Sequence, residues 1–259
     1  MTAAPIAPAP TRKRPSPWTT YVCLLRWTAE QVGMVVPFTL VVQLLFAAGI
    51  IVGFGLLSPQ ITDAFIHNVA CGAPTIMILM VGLVIVPQGL AQSKQNGSFT
   101  YIRSLPVARS LHLAAETTIW SAVALPAVPV AVVVARLRYD VDFSLNWPLL
   151  ALTLVIATTM SSWIGYAIAV LTPAVLTQII TQVLVFFVLL FSPIAFPASQ
   201  LPEWMRTLHE YLPFESVVEL MRASLLSQHF TADARDFLVI GVWAAVGLAV
   251  SLRGLARRG

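Results

Sequence analysis

The sequence predicts an all-α integral membrane protein with six transmembrane helices. Three observations predict it. Residues Phe143 to Pro202 contain no Asp, Glu, Lys or Arg, and this run is about three times the roughly 20 apolar residues that one helix needs to cross a bilayer. It must therefore hold two spans and a tight turn. Four further uncharged apolar runs flank it. Composition agrees: 58% of the 259 residues are hydrophobic and 10% charged, with a mean hydropathy of +0.84, outside the range of water-soluble domains. Such a composition excludes a soluble enzyme.

The chain opens with an Ala/Pro-rich stretch, Met1 to Pro17, that carries Arg12-Lys13-Arg14. No apolar core begins before about Gly33, so the stretch is not expected to be a cleaved signal peptide but a disordered cytosolic tail. The uncharged windows place six spans at Gly33 to Leu57, Val69 to Leu90, Thr117 to Ala135, Pro148 to Leu171, Val175 to Phe196 and Phe237 to Leu252. Pro126 and Pro129 should kink the third span, which a membrane helix tolerates when neighbours satisfy the freed carbonyls. The sixth window is short for the hydrocarbon core, so Arg235 and Arg253 are expected to snorkel from its ends. Cys23 and Cys71, the only cysteines, fall near opposite ends of the first two spans and are expected not to bridge.

Orientation follows from the basic residues. With the N-terminus inside, the inner segments hold Arg12, Lys13, Arg14, Arg26, Lys94, Arg103, Arg109, Arg253, Arg257 and Arg258, against Arg136, Arg138, Arg206, Arg222 and Arg235 outside. This bias puts both termini in the cytosol. The formal charge of +4 is scattered over short loops rather than gathered on one face, which argues against nucleic acid as a partner.

Two segments outside the spans are organised. In the inner loop, Ala91 to Leu113, Asn96-Gly97 supplies a turn and Ser98 a cap for a short helix ending near Leu105-Pro106. Phe99, Ile102 and Leu105 recur on it at helical spacing. Two readings fit, an interfacial helix resting on lipid headgroups and a helix docking on a cytosolic partner. In the outer segment, Pro197 to Asp236, Leu201 to Leu212 and Phe214 to Phe230 read as amphipathic helices separated by Pro213. Val218, Met221 and Leu225 form an apolar face of the second, with Glu215, Glu219 and Arg222 opposite. Both helices are expected to cap the spans from outside.

Within the spans, polar residues mark a path. Gln178 and Gln182 are one turn apart in the fifth span, and Phe187 and Phe191 are expected to continue the stripe at the same spacing. The stripe fits either interhelical hydrogen bonding and packing or a cavity wall with a polar inner and an aromatic outer part. Gly49 and Gly53 suit a close helix crossing, and Thr158, Thr159, Ser161 and Ser162 suit small-residue packing. His112 and Glu116, one turn apart, read as a hydrogen-bonded pair at the membrane boundary, since no third ligand is near in sequence to complete a metal site. His67, His209 and His229 read as surface histidines, and Asp63 stands alone. No acid pair lies within the spans, which argues against a proton-coupled transporter. An intramembrane enzyme or an assembly scaffold would call for buried ionisable residues or a large soluble face, and neither is seen.

The run Ser192-Pro193-Ile194-Ala195-Phe196-Pro197-Ala198-Ser199-Gln200-Leu201-Pro202-Glu203-Trp204-Met205, then Tyr211-Leu212-Pro213-Phe214 and Val218-Glu219-Leu220-Met221-Arg222, resembles the segment after the fifth span of ABC-2 type permeases. Gly97, Leu105, Pro106 and Arg109 match the family's inner loop. Gln92, Lys94 and Gln95 replace its usual acidic residues, and Leu212 its usual Asn. The resemblance implies a six-span permease domain over residues 33–259, preceded by a tail and interfacial segment over 1–32. It implies the membrane subunit of a bacterial ABC exporter in the cell membrane, paired with a second permease and driven by two ATPase subunits. The substrate implied is a hydrophobic or amphiphilic drug- or lipid-like molecule, with polysaccharide or glycolipid export as the alternative. ATP and Mg are then expected in the partner ATPase and no cofactor in this chain, in keeping with the absence of a G-x-x-x-x-G-K-S/T loop from its sequence. Phe99, Ile102 and Arg103 become the expected ATPase-docking residues, and Gln178, Gln182, Phe187 and Phe191 the expected substrate path.

Overall fold

A computed structural model describes residues 16–33, 35–57, 62–104, 107–192, 194 and 202–257. It is helical throughout: α1 Pro17–Gly33, α2 Val36–Leu57, α3 Asp63–Met80, a π-helical turn Val81–Ile85, α4 Val86–Gln95, α5 Ser98–Ser104, α6 Arg109–Ala124, α7 Ala127–Tyr139, α8 Trp147–Leu171, α9 Ala174–Phe191, α10 Glu203–His209, α11 Pro213–Leu225 and α12 Ala234–Arg257. Six of the resulting rods are long and apolar enough to cross a membrane. Because the spans alternate in direction, α1 and the end of α12 lie at one face of the bundle, here the proximal face. Helices α10 and α11 lie at the opposite, distal face.

Each expected span is present, and most are longer than their uncharged windows. The second runs from Asp63 to Gln95 and the third from Arg109 to Tyr139. The sixth, with 24 residues in α12, is about 36 Å long by helical rise, long enough to cross the hydrocarbon core, and Arg235 at its start does not reach out along it. Arg235 instead donates to the Glu210 carbonyl at 3.1 Å and faces its carboxylate at 3.6 Å. As Pro126 requires, the third span breaks at Leu125–Pro126 into α6 and α7. Gln43 of α2 donates its Nε2–H to the Val123 carbonyl at 3.0 Å, the kind of outside partner a broken membrane helix needs.

Helix α8 is the central post. It packs along α12, α11, α6 and the π-turn, and glycines set the approach. A Cβ on Gly165 would strike the Gly82 carbonyl and lie 2.9 Å from Pro87 Cδ, and one on Gly82 would lie 2.6 Å from the Ser161 backbone. On the other side, a Cβ on Gly247 would lie 3.0 Å from the Ile164 nitrogen. Ser161 and Ser162 are buried in these contacts, as small-residue packing predicts. Gly49 and Gly53 behave differently: among the described residues nothing lies within 4 Å of a Cβ built on either, so no other described helix crosses closely there.

At the distal face α11 is buried on nearly every side, against α3, α8 and α12. This corrects the two-faced reading of that helix. Arg222 is only 7% exposed and its Nη1 meets Glu219 Oε1 at 2.5 Å. The loop before α8 is tied to the end of α11 by Asn146 N–H to Ser224 O at 2.9 Å and Ser227 N–H to Ser144 O at 3.1 Å. Glu215 has a buried, unpartnered Oε2. Burial first, and then the neighbouring Glu219 and Glu210 carboxylates, raise its pKa above the ordinary glutamate value, against weaker opposition from Arg235 and Arg222. A carboxyl raised by folding stabilises the protein below its unfolded pKa and loses that contribution as pH rises through its folded pKa. Glu215→Gln should therefore raise the melting temperature in detergent at pH 7.5 and leave it nearly unchanged at pH 4, as read by tryptophan fluorescence.

One histidine reading is also corrected. His209 is fully buried, its Nδ1 lies 2.9 Å from the Met205 carbonyl, and its ring stacks on Phe187 at 5.8 Å. His67 stacks on His229 at 5.2 Å and meets the edge of Phe230, with Asp63 one turn away on α3. Both cysteines are free, Cys23 exposed and Cys71 buried.

Candidate functional site

The spans differ sharply in how far the chain encloses them. The apolar window of α9 is the least buried of the six and that of α3 through α4 the most. The open side of α9 carries the glutamines. Gln178 and Gln182 line a cleft of about 450 Å³ together with Gln88, Gln92 and Gln95 of α4. On α4 the spacing i, i+4, i+7 puts its three amides on one helix face. Gln88 Nε2 donates to Thr181 Oγ1 at 3.3 Å and thereby joins the two helices, while the other four glutamines are exposed.

An exposed amide at this depth decides what the cleft faces. Gln182 lies about 12 Å along α9 from its proximal end, by helical rise. A primary amide left in hydrocarbon without a partner costs roughly 2–7 kcal/mol, and the four exposed amides together argue against a lipid-facing wall. Water, a polar ligand or a partner subunit can satisfy them.

Farther toward the distal face lies a second hollow of about 480 Å³, lined by Leu45, Phe46, Gly49, Ile50, Gly53 and Phe54 of α2 and by Leu189 of α9. Leu189 follows Gln178 by eleven residues, within about 20° of it around the helix, so one face of α9 contributes to both hollows. The open side of the bundle is thus polar in its proximal part and apolar in its distal part.

Phe187 and Phe191 do not continue the glutamine stripe. Phe187 follows Gln178 by nine residues, about half a turn round. It packs against His209 of α10 and Phe214 of α11 at 5.8 and 6.2 Å, with Phe191 beside it at 6.0 Å. Phe187 seats the distal helices on α9, and the aromatic residues of the distal hollow are instead Phe46 and Phe54 of α2, among aliphatic side chains and glycines. The signal for Gln88, Gln92 and Gln95 lay in their helical spacing.

The proximal loop also departs from expectation at one residue. Gly97 takes φ +79° and Asn96 Oδ1 accepts the Ser98 N–H at 3.1 Å, so Asn96 rather than Ser98 caps α5. Phe99 is 8% exposed, packed in a cluster with Val86, Leu90, Leu113, Tyr166 and Leu255. The expectation that Phe99 is presented to a partner is therefore corrected: it pins α5 to the bundle. The side chains of Ile102 and Arg103 lie outside the described residues. Tyr101 is the exposed aromatic of α5, at 60%. Behind α5, Lys94 donates its Nζ hydrogens to the carbonyls of Ala169, Val170 and Thr172, where a cation meets the negative end of α8. Arg109 donates in the same way to the Leu255 carbonyl of α12.

His112 Nε2 faces Glu116 Oε1 at 3.5 Å, the pair that the spacing suggested. Among the described residues no three His, Cys, Asp or Glu side chains converge on a metal position.

Comparison with known proteins gives one family. The sequence model described as ABC-2 family transporter protein matches residues 59–253, from the second span through most of the sixth. No curated protein matches the chain. Six membrane-crossing rods, the distal helices between the fifth and sixth, and a family match over three quarters of the residues agree. This chain belongs to the ABC-2 transporter family and is the multi-pass, non-catalytic membrane subunit of an ABC transporter that works with ABC ATPase subunits.

Proposed function

We propose that the chain is half of the permease of an ATP-driven exporter for amphiphilic molecules, embedded in a bacterial cell membrane with both termini cytosolic. A single observation carries this reading: the open face of α4 and α9 carries four exposed glutamine amides with Gln88 beside them, joined through α9 to an apolar hollow. A second permease subunit opposite α2 and α9 would cover the bare Gly49 and Gly53 backbone and enclose both hollows as one path. The polar part of the substrate lies among the glutamines and its apolar part against Leu45, Phe46 and Leu189. ATP and Mg belong to the ATPase subunits, which engage the proximal face around α5. The basic bias of the loops at that face favours a cytosolic position for it.

The test is ATP-dependent uptake of a fluorescent alkyl amphiphile into inverted membrane vesicles holding the permease with its ATPase. Replacing Gln92 and Gln182 together by alanine removes two hydrogen-bonding groups at about 1 kcal/mol each, so uptake efficiency should fall by about tenfold or more with the melting temperature unchanged. Equal uptake in wild type and variant would refute the path; a large loss of stability would show the amides to be structural.

A further inference from the structure

Among the described residues, the cleft between α4 and α9 is lined by five primary amides and by no ionisable side chain. The nearest cation in sequence, Lys94, is directed away from it, into the carbonyls at the end of α8. Each glutamine offers two N–H donors and a carbonyl that can accept twice, so the lining presents donors and acceptors in balance and carries no net charge. A hydroxyl or an amide, itself both donor and acceptor, finds a partner there in whichever direction it points. Phosphate, sulfate or ammonium bound there would exchange part of its hydration for amides that supply no opposite charge. A permease for anionic lipids would be expected to carry Arg or Lys on this wall, because a guanidinium or ammonium is what compensates a buried phosphate.

We infer that the glutamine cleft selects by charge, admitting amphiphiles whose polar part is uncharged and rich in hydroxyl or amide groups and rejecting those with an ionised head. This inference rests on the proposed path and adds to it the chemical class of the head group. The exposed amides of Gln92, Gln178 and Gln182 are the selecting groups. Gln88, bonded to Thr181, fixes the spacing between the two walls.

The test compares three photoactivatable probes that share one dodecyl chain with a diazirine next to the head: a maltoside, a phosphate and a trimethylammonium. The full chain, with its ATPase, is held in nanodiscs of zwitterionic lipid, and labelling of the α4 and α9 peptides is followed by mass spectrometry against probe concentration. The maltoside should half-saturate these peptides at a concentration at least about tenfold below either charged probe, a preference of about 1.4 kcal/mol. Gln182→Lys should move the preference to the phosphate and Gln182→Glu to the trimethylammonium. Equal half-saturation by all three probes at these peptides would overturn the charge selection and leave the path standing. Labelling by none of them on α4 or α9 would overturn both. The wild-type ranking needs no variant, so a misfolded substitution does not obscure the result.

Discussion

Gly165→Leu should abolish folding of the permease, and Gly165→Ala should lower its melting temperature by several degrees. Even the single methyl of alanine meets the Gly82 carbonyl and Pro87 Cδ, a backbone atom of the π-turn and a ring atom at the start of α4, neither of which can rotate away. Overpacking of a filled core costs about 1–3 kcal/mol for modest additions and more where the neighbour is rigid. Gly165 is therefore the point at which the central helix touches the second span, and the π-turn is held there by glycine on both sides. Gly49→Ala serves as the control. Among the described residues nothing lies within 4 Å of a Cβ at that position, so its stability as an isolated subunit should not fall. Melting curves of the purified proteins in one detergent decide the comparison.

The second large effect is expected at the proximal loop. Phe99→Ala should cost about 3–5 kcal/mol, the range for emptying a buried aromatic site, because Phe99 fills the cluster formed by Leu90, Leu113, Tyr166 and Leu255. Tyr101→Ala, on the exposed side of the same short helix, should leave stability within about 0.5 kcal/mol. It should reduce co-purification of the ATPase, since an exposed aromatic is the commoner anchor of a docking surface. If Phe99→Ala remained as stable as wild type yet lost the ATPase, the assignment of the two aromatics would be reversed.

Those two residues show what could be read from the sequence and what could not. The spans were legible because charge is excluded from hydrocarbon, and Pro126 marked the break in the third because it lacks an N–H; both are local signals. The spacing of Gln178 and Gln182 was legible for the same reason. Phe187 was not, because a stripe carried by eye from Gln182 drifts, and nine residues from Gln178 bring the side chain to the opposite face. Burial of Phe99, Arg222 and His209 depends on which helices arrive from elsewhere. α6, α8 and α12 cover Phe99, and α3, α8 and α12 enclose the helix of Arg222. No periodicity within α5 or α11 distinguishes an apolar face bound to its own bundle from one left for a partner. The three glutamines of α4 were visible as a face, yet they acquire meaning only beside α9, 80 to 90 residues later.

The central claim is that the face formed by α4 and α9 is wet at membrane depth. Solvent accessibility of single cysteines tests it most directly, in a Cys23→Ser, Cys71→Ser background and in inverted vesicles containing the permease with its ATPase. Gln92→Cys, Gln178→Cys and Gln182→Cys should react with a charged, membrane-impermeant thiol reagent at rates near those of a surface thiol. Val183→Cys, next in sequence to Gln182 and exposed on the apolar side of α9, should stay unreactive, because a thiolate does not form against lipid. Rapid labelling of the three glutamine positions and none at Val183 is the predicted result; failure to label Gln178→Cys and Gln182→Cys while Gln92→Cys reacts would mean that the cleft is closed at membrane depth, and would contradict the account.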